Sequence, residues 1–364
     1  MTTATAVRES APAFDAARAE AFVGKFLGAM NGAAMILMTS VGHRTGLFDA
    51  LAEVSPCTVA ELARKAGLAE RYVREWLAVM TTSRVVDYDP RTGLYTLPAE
   101  HAAWLTRAAA PNNVAANAQF IGVIAGVEDE IVEHFRDGHG VHYHEYARFH
   151  EVMGEHTGQN IVMNLVDHIL PLAEGSIAAL QRGIDVVDVG CGAGGALLLL
   201  AEKFPRSRFT GIDLCRDAFE EAEALAAEKG LTNLVFKELD VGNVASLGDY
   251  DLVLAFDAVH DQRDPQEMLR TVRRSLKPGG THLMVDIGGS SRLENNLDHP
   301  LGAYLYVVST MHCTPVSLAQ GGEGLGTMWG VELAGEMLAK AGFGKVQMTR
   351  LPHDPFNAYF VARV

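Results

Sequence analysis

From residue 184 onwards, short apolar runs alternate with segments of helical period. Ile184 to Ala201 reads IDVVDVGCGAGGALLLLA: a β-branched run, a glycine-rich turn, then a leucine-rich run. The first run has the length of a buried strand, and the second continues as a helix. The alternation goes on through Arg208 to Asp213, a helix from Asp217 to Lys229 stopped by Gly230, and Leu234 to Leu239. Tyr250 to Phe256, a helix from Pro265 to Leu276, and Thr281 to Asp286 follow. A helix near Val331 to Ala341 and strands at 345–350 and 357–363 close the chain. Strands alternating with helices predict an α/β fold, a mostly parallel sheet wound on both faces.

The N-terminal pattern is different. Residues 1–20 have early acids and no apolar core, and read as a disordered leader. Phe26 to Gly42 is nearly uncharged and approaches the ~20 apolar residues of a membrane span, but Lys25 and Asn31 interrupt it. Gly24, Gly28 and Gly32 recur every fourth residue, on one helix face, where a second helix could approach closely. A soluble packing or dimer helix is therefore expected. Next come two helices and a hairpin: Thr58 and Glu61 have the form of a capping box, Gly67 is a stop, and Pro90 to Gly93 supplies a turn. Helix, helix, two-stranded wing is a winged-helix arrangement over 21–108. Residues 109–170 read as a helical connector and lid, and 171–364 as the α/β domain.

Charge narrows the choice of partners. The formal net charge is −15, so attraction to a nucleic-acid backbone or an anionic membrane is not expected of the whole molecule. Arg71, Arg74 and Arg84 on the winged helix are offset by Glu70 and Glu75. The four cysteines form no C-x-x-C pair, consistent with a reduced, cytoplasmic chain. His134, His139, His142, His144, His150 and His156 crowd the connector, but no H-E-x-x-H spacing occurs, and no metal is expected there.

Candidate chemistry centres on the first strand end. Gly190, Gly192 and Gly195 satisfy the dinucleotide fingerprint G-x-G-x-x-G, which serves more than one cofactor. Asp188 sits two residues ahead of it. Its carboxylate would repel a pyrophosphate but would accept hydrogen bonds from the cationic amino-acid end of S-adenosylmethionine. Asp213, at the next strand end, can accept the ribose hydroxyls. A nicotinamide cofactor and an oxidoreductase are the alternative.

Val187-Asp188-Val189-Gly190-Cys191-Gly192-Ala193-Gly194 resembles the first motif of class I S-adenosylmethionine-dependent methyltransferases. The resemblance continues at Gly211-Ile212-Asp213-Leu214, Asp240-Val241, Phe256-Asp257-Ala258-Val259-His260-Asp261, and Leu276-Lys277-Pro278-Gly279-Gly280. It covers about residues 165–364. Residues 45–108 resemble the N-terminal dimerisation domain of small-molecule O-methyltransferases, and the whole chain is most similar to a bacterial, mycobacterial-type branch. The family implies a seven-stranded sheet with one antiparallel strand, S-adenosylmethionine as methyl donor, S-adenosylhomocysteine as product, and a homodimer. It also implies cofactor contacts at Asp188, Gly190, Gly192, Asp213, Leu214, Asp240, Val241 and Phe256.

The phrase Val259-His260-Asp261-Gln262-Arg263-Asp264 resembles the His-Asp-Trp-Ser-Asp phrase of the winged-helix O-methyltransferases, whose histidine deprotonates an acceptor hydroxyl. Gln262 departs from it, and Asp286 and Glu323 are the candidates for the carboxylate that steadies His260. The expected pocket for a small, partly apolar acceptor is lined by Tyr143, Phe149, Tyr304, Met311, His312 and Trp329, with 320–326 as a glycine-rich lid. A winged-helix regulator that senses S-adenosylmethionine is the other reading.

Overall fold

A computed structural model describes residues 14–364. They divide into two compact units, one ending at Ala102 and the other running from Ala103 to Val364. The helical connector belongs to the second unit.

The first unit begins with α1 (Ala16–Arg44), whose N-terminus is capped by the Asp15 side chain accepting from Arg18 N–H. The leader expected over 1–20 therefore gives way to helix at Ala16, because an Asx cap and an Ala-rich turn are enough to start one. Residues 1–13 lie outside the described residues. The helix is long and apolar enough, by length and composition, to cross a bilayer, and its most apolar window is unburied. Phe22, Phe26 and Met30 are exposed, and Gly24, Gly28 and Gly32 have open space where a Cβ would stand. After α2 (Leu47–Val54) come α3 (Val59–Ala66) and α4 (Glu70–Thr82), then the hairpin β1 (Asp87–Asp89) and β2 (Leu94–Thr96). Thr58 and Glu61 make the capping box, and Gly67 closes α3 at φ 67°.

In the second unit the strands are β3 (Asp185–Val189), β4 (Arg208–Asp213), β5 (Leu234–Glu238), β6 (Tyr250–Phe256), β7 (Leu276–Ile287), β8 (Lys345–Thr349) and β9 (Asn357–Arg363). They form one sheet in the order β5-β4-β3-β6-β7-β9-β8. The first five run parallel, and β9 is inserted antiparallel to both β7 and β8. Val186, Leu252, Leu254 and Leu283 face one apolar layer, while Val187, Val253, Ala255 and Met284 face the other. Burial on both faces explains why these strands read as continuous apolar runs.

The connector is only partly helical. Glu128–Asp137 and Phe149–Asn160 are helices, but Gly138 to Arg148 is a loop with one 3-10 turn, Tyr143–Glu145. His142 and His144 stack on each other there, with centroids 5.5 Å apart, rather than sitting on opposite sides of a helix. Gly138 ends the preceding helix at φ 75°, and that residue redirects the chain.

Candidate active site

The strand order reverses between β3 and β6, and the site lies beyond their C-terminal ends, where such sheets open a crevice. The turn after β3 is glycine-rich because the backbone demands it. Gly190 has φ 72°, and a Cβ there would run into Ala258, on the loop after β6. Gly194 has φ 67°, and a Cβ would meet Ala222 and Phe236 at 2.8 Å. Asp213 ties this turn to β4: Gly192 N–H donates to its Oδ2 at 2.8 Å, and Cys215 N–H to its Oδ1 at 3.0 Å.

Above the turn is a cavity of about 230 Å³, lined by Asp188, the 189–196 turn, Asp213, Leu214, Asp240, Val241, Phe256 and the connector face Tyr143 to Gly158. Asp188 is 2% exposed and its Oδ1 has no hydrogen-bond partner. Burial, and then the charge of Asp213, push its carboxyl up to about 7. An orphaned buried carboxylate oxygen beside an open glycine turn fits the ammonium end of S-adenosylmethionine. Asp240 is held within its own turn, its oxygens accepting from Gly242 N–H at 2.9 Å and Asn243 Nδ2 at 2.7 Å.

A second cavity, of about 70 Å³, adjoins the first and shares Phe149, Met153, Asp257 and Asp261 with it. His260 lines it. The imidazole is buried, with Nδ1 2.7 Å from Asp286 Oδ1 and Nε2 3.3 Å from Asp261 Oδ1. Burial opposes its charged form, but the two carboxylates outweigh burial and hold its pKa well above the usual histidine value. Asp286 Oδ1 also accepts from Trp329 Nε1 at 2.9 Å and from Ile287 N–H at 2.8 Å, so the carboxylate facing Nδ1 is fixed from three sides.

The two units match known families. Residues 33–107 match the Rv2258c-like winged HTH domain, and residues 180–342 match the Methyltransferase domain. The chain carries a winged-helix domain and a methyltransferase domain. Over 150 residues it is 29% identical to the ubiquinone biosynthesis O-methyltransferase of Escherichia coli, covering 40% of this chain and 61% of that protein. The match thus spans less than two thirds of that relative's length. Human N-acetylserotonin methyltransferase, solved in complex with S-adenosylmethionine, superposes with a TM-score of 0.65 at 17% identity, covering 97% of this chain and 99% of that one. Mitomycin 7-O-methyltransferase does so at 0.65 and 21%, covering 96% and 100%. At such identities the likeness is one of fold.

Within the methyltransferase domain the predicted acceptor residues separate. Tyr304 and His312 line the second cavity, Phe149 lines both, and Tyr143 lines the first while its hydroxyl donates to Asp261 Oδ2 at 3.0 Å. His312 stacks on Phe149 with centroids 4.0 Å apart, and burial pushes it down to about 3. Met311 and Trp329 line neither cavity. The Met311 carbonyl accepts from the Tyr146 hydroxyl at 2.7 Å, and Trp329 is buried behind Asp286. The reason is a π-helical turn, Ser309–Cys313, between helices Gly302–Val308 and Thr314–Ala319. Its extra residue per turn lets neighbouring His312 and Cys313 both face inward and leaves Met311 half-buried outside. Glu323 is exposed, so Asp286 is the partner of His260. The 320–326 segment is packed rather than open: a Cβ at Gly322 would meet the Arg263 backbone at 2.7 Å.

Sequence reasoning gave no role to Asp257. It lines both cavities, stands at φ 51°, and its Oδ1 has no partner. A non-glycine residue in the left-handed region at a strand end is a mark of a functional position, but nothing in the local sequence announces it.

Proposed function

We propose that the chain transfers the methyl group of S-adenosylmethionine to a hydroxyl of a small, partly apolar acceptor, with His260 as general base. The observation that carries this reading is His260, held by Asp286 at 2.7 Å and lining a mostly apolar cavity that adjoins the cofactor cleft. The bound cofactor supplies an electrophilic methyl on a sulfonium. The protein's own work is alignment, exclusion of water and removal of one proton.

Asp188 would hold the cofactor's ammonium, and Asp213 would accept the ribose hydroxyls while keeping the glycine turn in place. Leu214, Asp240 and Val241, which line the same cavity, would receive the adenine. Phe149, Tyr304 and Phe356 wall the acceptor. Nδ1–H of His260 donates to Asp286, leaving Nε2 to take the acceptor's proton. The sulfonium of a bound cofactor would bring positive charge into the cleft, which would lower the imidazole's proton affinity and ready it as a base. The antiparallel β9 next to β7 supports a methyltransferase over a nicotinamide oxidoreductase.

The unpartnered apolar face of α1 supports a homodimer built across the N-terminal unit, and the four free cysteines support a cytoplasmic location. A regulator that binds DNA is disfavoured by the net charge and by α4, where Arg71 pairs with Glu75, and Arg74 with Glu70 at 2.7 Å. The deciding experiment incubates the chain with methyl-labelled S-adenosylmethionine and a panel of phenols, thiols and amines. Label in a phenol, with S-adenosylhomocysteine as co-product, is expected. Calorimetry that found NAD bound and neither sulfur ligand bound would end this reading.

A further inference from the structure

One cluster at the cavity junction is not used up by base chemistry. His260, Asp261 and Cys313 are all buried, and one ligand-type atom from each lies within 4.8 Å of the other two. His260 Nε2 is 3.3 Å from Asp261 Oδ1. That is the edge of a tetrahedron whose centre lies about 2.0 Å from each atom, the length of a zinc bond to imidazole or carboxylate.

The surroundings fit the same geometry. Asp261 is 8% exposed, and apart from His260 Nε2 at 3.3 Å its Oδ1 has no hydrogen-bond partner. The second polar atom of His260 and of Asp261 is already engaged, and the single sulfur of Cys313 is oriented by a hydroxyl. His260 Nδ1 is held by Asp286 at 2.7 Å, Asp261 Oδ2 accepts from the Tyr143 hydroxyl at 3.0 Å, and Cys313 Sγ accepts from Thr327 Oγ1 at 3.0 Å. A carboxylate behind an imidazole and hydroxyls behind the other two ligands are the outer contacts that orient metal ligands. All three residues line the second cavity, so a fourth position faces it.

We propose that His260 Nε2, Asp261 Oδ1 and Cys313 Sγ form a site for a divalent cation of the zinc class. A nitrogen, oxygen and sulfur set favours Zn²⁺ over Mg²⁺ or Ca²⁺, which take oxygen ligands. On binding, the Cys313 S–H and the His260 Nε2–H bonds break, both protons leave to solvent, and the thiolate and the neutral imidazole donate to the metal without any change of oxidation state. One consequence rests on the function proposed above: the cation takes the lone pair that would accept the acceptor's proton. Metal occupancy and base catalysis therefore exclude each other, and Zn²⁺ acts as an inhibitor competitive with the acceptor.

The test needs no acceptor and no turnover. The reduced, chelator-free chain is titrated with CoCl₂ and its absorption followed. One equivalent of cobalt is expected to give thiolate-to-cobalt charge transfer in the near ultraviolet and strong visible bands of a tetrahedral centre, both erased by added Zn²⁺. Cys313→Ser and His260→Gln should abolish these bands. Cys215→Ser, which disrupts the half-exposed group His150, Cys215 and Asp217, should keep them. Calorimetry with S-adenosylhomocysteine on each variant verifies that the fold is intact. Absence of thiolate-cobalt bands in the wild-type chain, or bands that survive Cys313→Ser, would overturn the site. A normal cobalt spectrum with no methyl transfer to any acceptor would instead strike the functional reading and leave the site standing.

Discussion

Asp286 Oδ1 lies 2.7 Å from His260 Nδ1, and Trp329 Nε1 donates to the same oxygen at 2.9 Å. One carboxylate oxygen thus joins the candidate base to a buried indole from a different part of the chain. Nε2 of the imidazole is turned to the cavity as a result.

If His260 is the base, His260→Ala should lower turnover of a hydroxyl acceptor by about 10² to 10⁴. Affinity for S-adenosylhomocysteine should change little, since the cofactor is held at the other strand ends. Single-turnover assays and calorimetry measure the two quantities separately. Loss of S-adenosylhomocysteine binding would make His260 a cofactor-pocket residue.

Trp329→Phe removes one hydrogen bond from Asp286 while keeping an aromatic ring. A neutral hydrogen bond to a charged group is worth about 1.5–3 kcal/mol, so the rate constant should fall roughly tenfold or more with KM for the cofactor unchanged. An unaltered rate constant would show that Asp286 does not depend on the indole.

Asp188 supplies a pH dependence. Its carboxyl is pushed up to about 7 by burial and by Asp213, and an ammonium partner needs the ionised form. S-adenosylhomocysteine should bind about tenfold tighter at pH 8 than at pH 6. Asp188→Asn should weaken binding and flatten that profile. For stability the sign is opposite. The folded value exceeds the unfolded value of about 3.9, so this group's contribution to stability is fully present below pH ~4 and is lost as pH rises through about 7.

Gly190→Ala places a methyl group against Ala258 at a backbone with φ 72°. Strain of this kind costs about 1–3 kcal/mol, and thermal denaturation should register a lower midpoint. Cofactor binding should be lost as well, because relief requires the turn to move.

The apolar face of α1 should be covered by a second copy of the chain. Light scattering is expected to give a dimer at micromolar concentration, and Phe26→Asp, on the exposed face, a monomer. A monomeric wild-type chain would contradict the dimer, and recruitment to vesicles would point to a membrane instead.

The strands, the glycine turn and the capping box were legible in the sequence because each is set by neighbours within a few residues: β-branched runs buried on both faces, glycines at positive φ, Thr58 facing Glu61. The carboxylates Asp188, Asp213 and Asp240 could be placed for the same reason, since a residue at the end of a parallel strand has little choice of where to point. The partner of His260 was narrowed by the sequence to Asp286 or Glu323, and only the tertiary structure chose between them. Asp286 is 26 residues away, and the pairing exists because β6 and β7 lie in register beside each other. The inward turn of His312 and Cys313 depends on a π-helical step that no hydrophobic period reveals, and the left-handed Asp257 on how β6 hands over to its loop. Local periodicity and glycine chemistry are written in the chain. Which buried charges meet, and which of them are left without a partner, is decided by packing between segments far apart in it.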